Sequence, residues 1–471
     1  MFDLKKYGNH IALIDDENGK ITYQDMQTIS DELASVIGKR CLIAVFCENS
    51  IASITGYISF MNHRYVPLML NAGLELQMKE SLLNIYKPKY VWIPKQNTDE
   101  LTNLNYQEVY EFSDYVLLKA GEEIEISLNE NLALLLTTSG STGSPKFVRQ
   151  SYENIKENAL SIIQYLELDE TERPITTLPM NYTYGLSIIN SHIMVGATIL
   201  VTKKGLMQKE FWDFLKEQKA TSFGGVPYTY EMLHRLRFYK MDLKDLRYMT
   251  QAGGKITPDL HKSFAEYAER TNKKFIVMYG QCEATARMGY LPAEKSLEKY
   301  GSMGIAIPGG EFLLIDETGK EITEPHKTGE LVYKGKNVTM GYAEKPEDLS
   351  KGDERNGTLY TGDMAQIDED GFYYIVGRKK RFLKMFGNRV NLDEIDRMIK
   401  TEFDNVEVAC AGVDDHMYIF LTNEGICEEV KQFISKKTKL NGSAFKVKVI
   451  DEIPKNDSGK VLYKELNKYY S

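Results

Sequence analysis

Thr138, Ser139, Gly140, Ser141, Thr142 and Gly143 form a run of small hydroxyl and glycine residues that leads through Ser144 and Pro145 to Lys146. Residues of these types let backbone N–H groups and hydroxyls turn inward around a polyphosphate, and the lysine adds a point charge. The apolar run Leu132–Leu136 enters the loop directly. A flexible Gly/Ser linker is a poor alternative there, since it has no need of a buried strand before it. The loop is not GxxxxGK[ST], because only two residues separate Gly143 from Lys146. A second cationic feature, Arg378 to Arg381, is a local patch able to hold phosphates. Cys41, Cys47, Cys282, Cys410 and Cys427 are scattered without CxxC spacing. That pattern favours a reducing compartment over a disulfide framework or a zinc site.

The elements that must position these groups alternate in period. Cys41–Phe46, Ile51–Met61 and Tyr65–Leu68 read as strand, helix, strand. The pattern returns at Ala197–Val201 with Gln208–Gln218, at Ala220–Val226 with Tyr228–Leu236, and at Leu246–Gln251 with Pro258–Arg270 before Phe275–Tyr279. Repeated βα units predict parallel sheets covered by helices. After about residue 300 shorter β-rich pieces appear at Glu311–Ile315, Gly329–Tyr333 and Gly371–Val376. A compact α/β tail follows the glycine and cations at Gly377–Arg381, which interrupt the strand pattern. The expected fold is α/β: a large N-terminal domain over 1–377, with parallel βαβ sheets and a β-rich subdomain, and a small mobile α/β domain over 378–471. With 471 residues the chain exceeds the roughly 250–300 at which one core stops growing. Its 42% hydrophobic content and 27% charge suit a globular protein, and a net charge of -9 argues against nucleic acid or an anionic membrane as partner. The first residues have no apolar h-region and no stretch approaches the roughly 18 apolar residues of a span, so a cytoplasmic location without membrane insertion is expected.

From the loop onward the motifs resemble, in order, those of the adenylate-forming superfamily: acyl- and aryl-CoA synthetases, peptide-synthetase adenylation domains and luciferases, the AMP-binding enzymes. Thr138–Lys146 is similar to the family loop [ST]SG[ST]TGxPKG. Gly253 and Gly254 match glycines that lie against adenine, although a Gly-rich turn would read the same. Tyr279, Gly280, Gln281, Cys282 and Glu283 resemble YGxTE, which implies that Tyr279 stacks on adenine and Glu283 holds the magnesium ion bridging the ATP phosphates. Tyr360–Asp363 resembles the motif whose aspartate accepts from both ribose hydroxyls, so Asp363 takes that role. Gly371–Asp396 is similar to the segment that closes the large domain and opens the small one. By position Arg378 contacts the nucleotide and Lys380 is the hinge. Lys384 and Arg389 are further nucleotide candidates, though a solvated basic face would look alike. Pro454–Lys460 resembles PxxxxGK, whose lysine reaches the carboxylate and α-phosphate during adenylation.

The resemblance implies that a small carboxylic acid attacks the α-phosphorus of ATP and expels pyrophosphate. Lys460, Lys146, the loop hydroxyls and Glu283 with Mg2+ meet the charge, and no general base is required because the acid is already ionised. The small domain then turns about Lys380, and a thiol takes the acyl group. That thiol is CoA, or in the alternative the phosphopantetheine arm of an acyl carrier protein; a degenerate nucleotide-binding regulator is the reading from another class. Tyr182 falls at a gating position of the acid pocket, and Thr183 falls where amino-acid-activating relatives keep an aspartate, which counts against an α-amino acid. Gly224 and Gly225 suggest a pocket with depth, but core packing explains them nearly as well. Phe147, Tyr152 and Cys282 depart from the family pattern. Cys282 matters most, because a thiol donates more weakly than the usual threonine hydroxyl.

Overall fold

The computed structural model describes residues 1–122, 124–137, 146–385, 388–403, 406–413, 415–438, 440–455 and 461–470, with only the backbone described for Lys380, Phe382, Lys384, Asn388, Arg389 and Ser443. Thr138–Gly143 of the phosphate loop and Lys460 therefore lie outside the described residues. The chain forms two compact units, 1–311 with 333–359 and 312–332 with 360–471.

The first unit holds two large sheets. In one, Leu42–Cys47, Val66–Asn71, Tyr90–Pro94 and Leu132–Thr137 run parallel at the centre. Their side chains are almost all buried, as continuous apolar runs in a parallel sheet require. Helix Ile51–Asn62 crosses between two of them, capped by Ser50, which accepts from the Ser53 amide at 3.2 Å. The edges are antiparallel rather than parallel: Phe147–Ser151 pairs with Leu132–Thr137 in register Thr137↔Phe147. Two antiparallel strands thus flank the phosphate loop, whereas a Walker loop lies between a strand and a helix. Phe147 is fully buried with its ring edge-on to Tyr86 at 5.2 Å, so its departure from the family glycine supplies core packing. Tyr152 begins helix Tyr152–Leu166 and donates its hydroxyl to the Tyr65 carbonyl at 3.3 Å.

In the second sheet Ser222–Gly225, Tyr248–Gln251 and Lys274–Tyr279 run parallel, with Gly224 opposite Thr250 and Thr250 opposite Ile276. This register brings the carboxyl ends of three strands to one edge, where open α/β sheets bind ligands. Gly224, Gly253 and Tyr279–Glu283 all sit at or just beyond those ends.

Within the second unit, Thr358–Ile367 pairs antiparallel with Tyr373–Arg378. The strand runs straight through Gly377, where a Cβ would stand 2.5 Å from the Asn391 amide. Asn391 donates to the Val376 carbonyl at 2.8 Å, so glycine there continues the strand instead of breaking it. Hairpin Phe382–Met385 with Asn388–Asn391, helix Leu392–Glu402 and the sheet of Val408–Val413, His416–Leu421 and Phe445–Val449 follow, around a core that includes Ile395, Ile399, Ile419 and Ile434. No described helix is long and apolar enough to cross a membrane.

Two buried histidines are expected to make the first unit acid-sensitive. Burial lowers both His192 and His261 to about 4, and His261 Nδ1 accepts from the Gly301 amide at 3.1 Å, which requires the neutral ring. Unfolded histidine takes up a proton near pH 6.5, so stability is full above that pH and falls between 6.5 and 4. We expect a loss of up to about 3 kcal/mol per histidine over that window. Urea unfolding at successive pH values measures it, and His261→Gln should flatten part of the slope.

Candidate active site

Glu283 follows the parallel strand Lys274–Tyr279 in a short turn, Cys282–Ala284, that ends in two consecutive left-handed residues, Thr285 at φ 53° and Ala286 at φ 87°. Non-glycine residues reach that region only when their surroundings impose it. Here Thr285 Oγ1 donates to the Asn337 carbonyl at 2.8 Å, and the Ala286 amide donates to the Gln281 carbonyl at 3.3 Å. Gly280 is what permits the turn: a Cβ at that position would lie 1.5 Å from the Ala286 carbonyl oxygen. Gly280→Ala should therefore cost about 3 kcal/mol or more of stability, read from the urea midpoint, and lower any activity that depends on Glu283.

The Glu283 carboxylate is half-buried and accepts the Tyr342 hydroxyl at 2.7 Å. Its backbone carbonyl is gripped from the segment 339–355, by the Thr339 amide and hydroxyl at 3.0 Å each and by Arg355 Nη1 at 3.1 Å. Arg355 also lies over the Tyr342 ring at 4.5 Å, and Lys146 Nζ lies over that ring at 3.8 Å while pairing with Glu344 at 3.2 Å. Burial and the Glu283 charge push the Tyr342 phenol above its ordinary range, so it stays a donor at neutral pH. Lys146 and Glu283, far apart in sequence, are joined through one tyrosine, Tyr342, which belongs to none of the motifs and carries no local signal of that role.

Among the described residues no lysine, arginine or histidine pairs with the Glu283 carboxylate, and no group of three His, Cys, Asp or Glu could hold a metal. A hard cation that keeps its waters and binds mainly to phosphates needs just such a lone, oriented carboxylate. The donor set at Glu283 fits magnesium.

The remaining predicted residues divide. Gln281 Nε2 donates to the Tyr279 hydroxyl at 3.4 Å. Gly253 has φ +83°, and a Cβ there would stand 2.5 Å from the Tyr182 hydroxyl; burial, and then the nearby buried Cys282, push the Tyr182 phenol above its ordinary range. These three meet. Gly254 packs on Pro227, and Gly225 leaves space for Thr229 and Tyr230 of helix Pro227–Arg235, a packing role. Gly224 faces the Tyr184 hydroxyl and lines a separate cavity with His192 and Arg287. Thr183, the first residue of helix Thr183–Val195, lines another with Gln150, Asn158 and Asn190.

In the second unit Asp363 is buried and pairs across the strands with Arg378, Oδ1 to Nε 3.1 Å, after Gly362 at φ 69°. The basic run is neutralised from within: Lys379 pairs with Glu330 at 2.6 Å, and Arg381 with Asp393 and with Asp396 at 2.6 Å. Each described side chain of the run has a carboxylate partner, while Arg378 and Lys379 stay half exposed. Side chains at Lys380 and Lys384 lie outside the described residues.

The family model for AMP-binding enzymes matches residues 3–343. The chain is 26% identical to an oxalate–CoA ligase of Arabidopsis thaliana, over 89% of this chain and 86% of that one. It is equally 26% identical to a 2-succinylbenzoate–CoA ligase of Geobacillus sp., over 96% and 93%. Its fold matches the O-succinylbenzoate coenzyme A synthetase of Bacillus subtilis in complex with ATP and magnesium ion, with TM-score 0.77, 22% identity and coverage of 98% and 97%. With the Glu283 turn and the edge of the parallel sheet in view, these define an enzyme of the AMP-forming acid–thiol ligase class. The chain belongs to the AMP-binding enzyme family.

Proposed function

We propose that this enzyme activates a small carboxylic acid as its acyl-AMP, with release of pyrophosphate, and passes the acyl group to CoA. The observation that carries the reading is the Glu283 carboxylate, oriented by the Tyr342 hydroxyl at 2.7 Å and linked by the same ring to the Lys146 ammonium. It is supported by relatives named as ligases of oxalate and 2-succinylbenzoate with CoA, aligned over most of their length.

Bringing a carboxylate to a polyphosphate joins two anions, so the chain's contribution is positioning and positive charge. Glu283 would hold Mg2+, which when bound neutralises phosphate charge. Lys146 supplies a second cation, and Thr138, Ser139, Ser141 and Thr142 donate to phosphate oxygens. Tyr279 stacks on adenine, with Gly253 and Gly254 allowing its approach. Asp363 accepts from the ribose hydroxyls, and Arg378, its ion-pair partner, contacts the nucleotide. Lys460 serves the first half-reaction, and residues 378–471 turn as a small domain about Lys380 before thiol transfer. Tyr182 gates the acid pocket beside Cys282, where a thiol in place of a hydroxyl weakens one contact to the α-phosphate without removing activity.

Pyrophosphate release across a panel of short aliphatic, aryl and dicarboxylic acids tests this reading, with CoA and a phosphopantetheinylated carrier protein as competing acceptors. Acid-dependent pyrophosphate followed by a CoA thioester is expected. Failure with every acid would favour a nucleotide-binding regulator, and ADP as product would exclude adenylation.

A further inference from the structure

Four lysine or arginine side chains are buried among the described residues: Lys79, Arg149, Arg287 and Arg381. A buried ion costs several kcal/mol unless it is paired and hydrogen-bonded. Lys79 pairs with Glu100 at 2.5 Å, Arg149 with Glu354 at 2.5 Å, and Arg381 with Asp393 and Asp396. Arg287 is the exception. It is 1% exposed, and its described partners are all neutral: Ser187 Oγ at 3.2 Å from Nε, the Tyr165 hydroxyl at 3.2 Å from Nη1, the Met278 sulfur, and the Tyr184 ring 4.3 Å below the guanidinium. Nη2 donates to none of the described residues.

This cation lines a cavity with Ile188, Ser191, His192, Phe223 and Gly224. Gly224 stands at the carboxyl end of its strand, on the ligand-binding edge of the sheet. Burial lowers His192 to about 4, so the ring is neutral at pH 7 and bonds the Tyr248 hydroxyl at 3.1 Å. Glu172, whose charge is felt at Tyr248, is already held by Arg247 at 3.0 Å and by the Thr221 hydroxyl. The cavity therefore carries one permanent charge among the described residues, and it is positive. Its free space of about 10 Å³ is one water's worth, so a carboxylate enters only if the lining side chains move.

We propose that this cavity is a second anion subsite and that the acid activated here carries a further carboxylate, which Arg287 receives. The inference rests on the adenylation reading and narrows it to dicarboxylic acids. Nη2 is the guanidinium nitrogen without an acceptor among the described residues, so it is the donor a carboxylate would meet, and a diacid supplies the counter-charge that the protein omits. A monoacid would leave the cation buried and unpaired. The turn with left-handed Thr285 and Ala286 carries the chain from Glu283 to Arg287 within four residues.

The test compares matched acids, succinate with butyrate and glutarate with pentanoate, by pyrophosphate release from the full-length enzyme, its Arg287→Met variant and its Arg287→Lys variant. The wild type should prefer each diacid by tenfold or more in kcat/KM. Arg287→Met should erase the preference through KM for the diacid while the monoacid value stays within about threefold, and Arg287→Lys should retain part of it. A wild type that uses monoacids as well as diacids overturns the proposal whether or not the methionine variant folds, as does a methionine variant that loses both equally. Thermal shift separates the two readings. If no acid releases pyrophosphate yet glutarate raises the wild-type melting temperature and not that of Arg287→Met, the subsite stands and the adenylation reading falls. An equal rise with inorganic phosphate would mean a general anion hole and overturn the diacid assignment.

Discussion

Glu283→Gln is expected to lower acid-dependent pyrophosphate release by about 10²–10³-fold, the range typical of removing one preorganised charge contact from a phosphoryl or acyl site. Glutamine keeps the shape and can still accept the Tyr342 hydroxyl that now bonds Oε1 at 2.7 Å. The backbone grip on the Glu283 carbonyl, from Thr339 and Arg355, is untouched by the change. The loss should therefore come without a fall in melting temperature and be eased by raised Mg2+. Tyr342→Phe, which removes only the orienting donor, should cost roughly tenfold, in line with a hydrogen bond to a charged group. A glutamine variant with wild-type rates at ordinary Mg2+ would remove Glu283 from the site.

Lys460→Ala should separate the two half-reactions. Acyl-AMP formation is expected to fall by about 10²–10³-fold, because in the proposed role the lysine's charge meets the carboxylate and α-phosphate. Transfer from supplied acyl-AMP to CoA should stay within about threefold of wild type if, as proposed, the small domain has turned and withdrawn the lysine before that step. Pyrophosphate release that survives the substitution would exclude Lys460 from adenylation, and an equal loss in both steps would point to a structural role.

Much of this site was legible before any coordinates. Hydroxyl, glycine and carboxylate residues at fixed spacing announce phosphate and metal chemistry, because few other residue types can bring backbone donors, room and a hard ligand together. The βα alternation was equally plain, since buried parallel strands must be apolar throughout. Antiparallel partners escaped notice: Phe147–Ser151 mixes Arg149 and Gln150 into a fully buried strand, and such a strand carries no alternation to read. Gly377 was misleading in the other direction, as a glycine that looked like a break accommodates Asn391 within a strand.

The sequence by itself determined the kind of chemistry and the class of fold, because both depend on local residue type and period. The tertiary structure alone decided which groups meet and which charges remain. The basic run Arg378–Arg381 reads as a phosphate patch, yet each side chain described there folds onto a carboxylate supplied from elsewhere in the chain. Arg287 reads as one cation among many, yet folding withdraws it from water with no acid beside it. Pairing and burial are properties of distance between residues remote in sequence, and linear spacing carries no record of them.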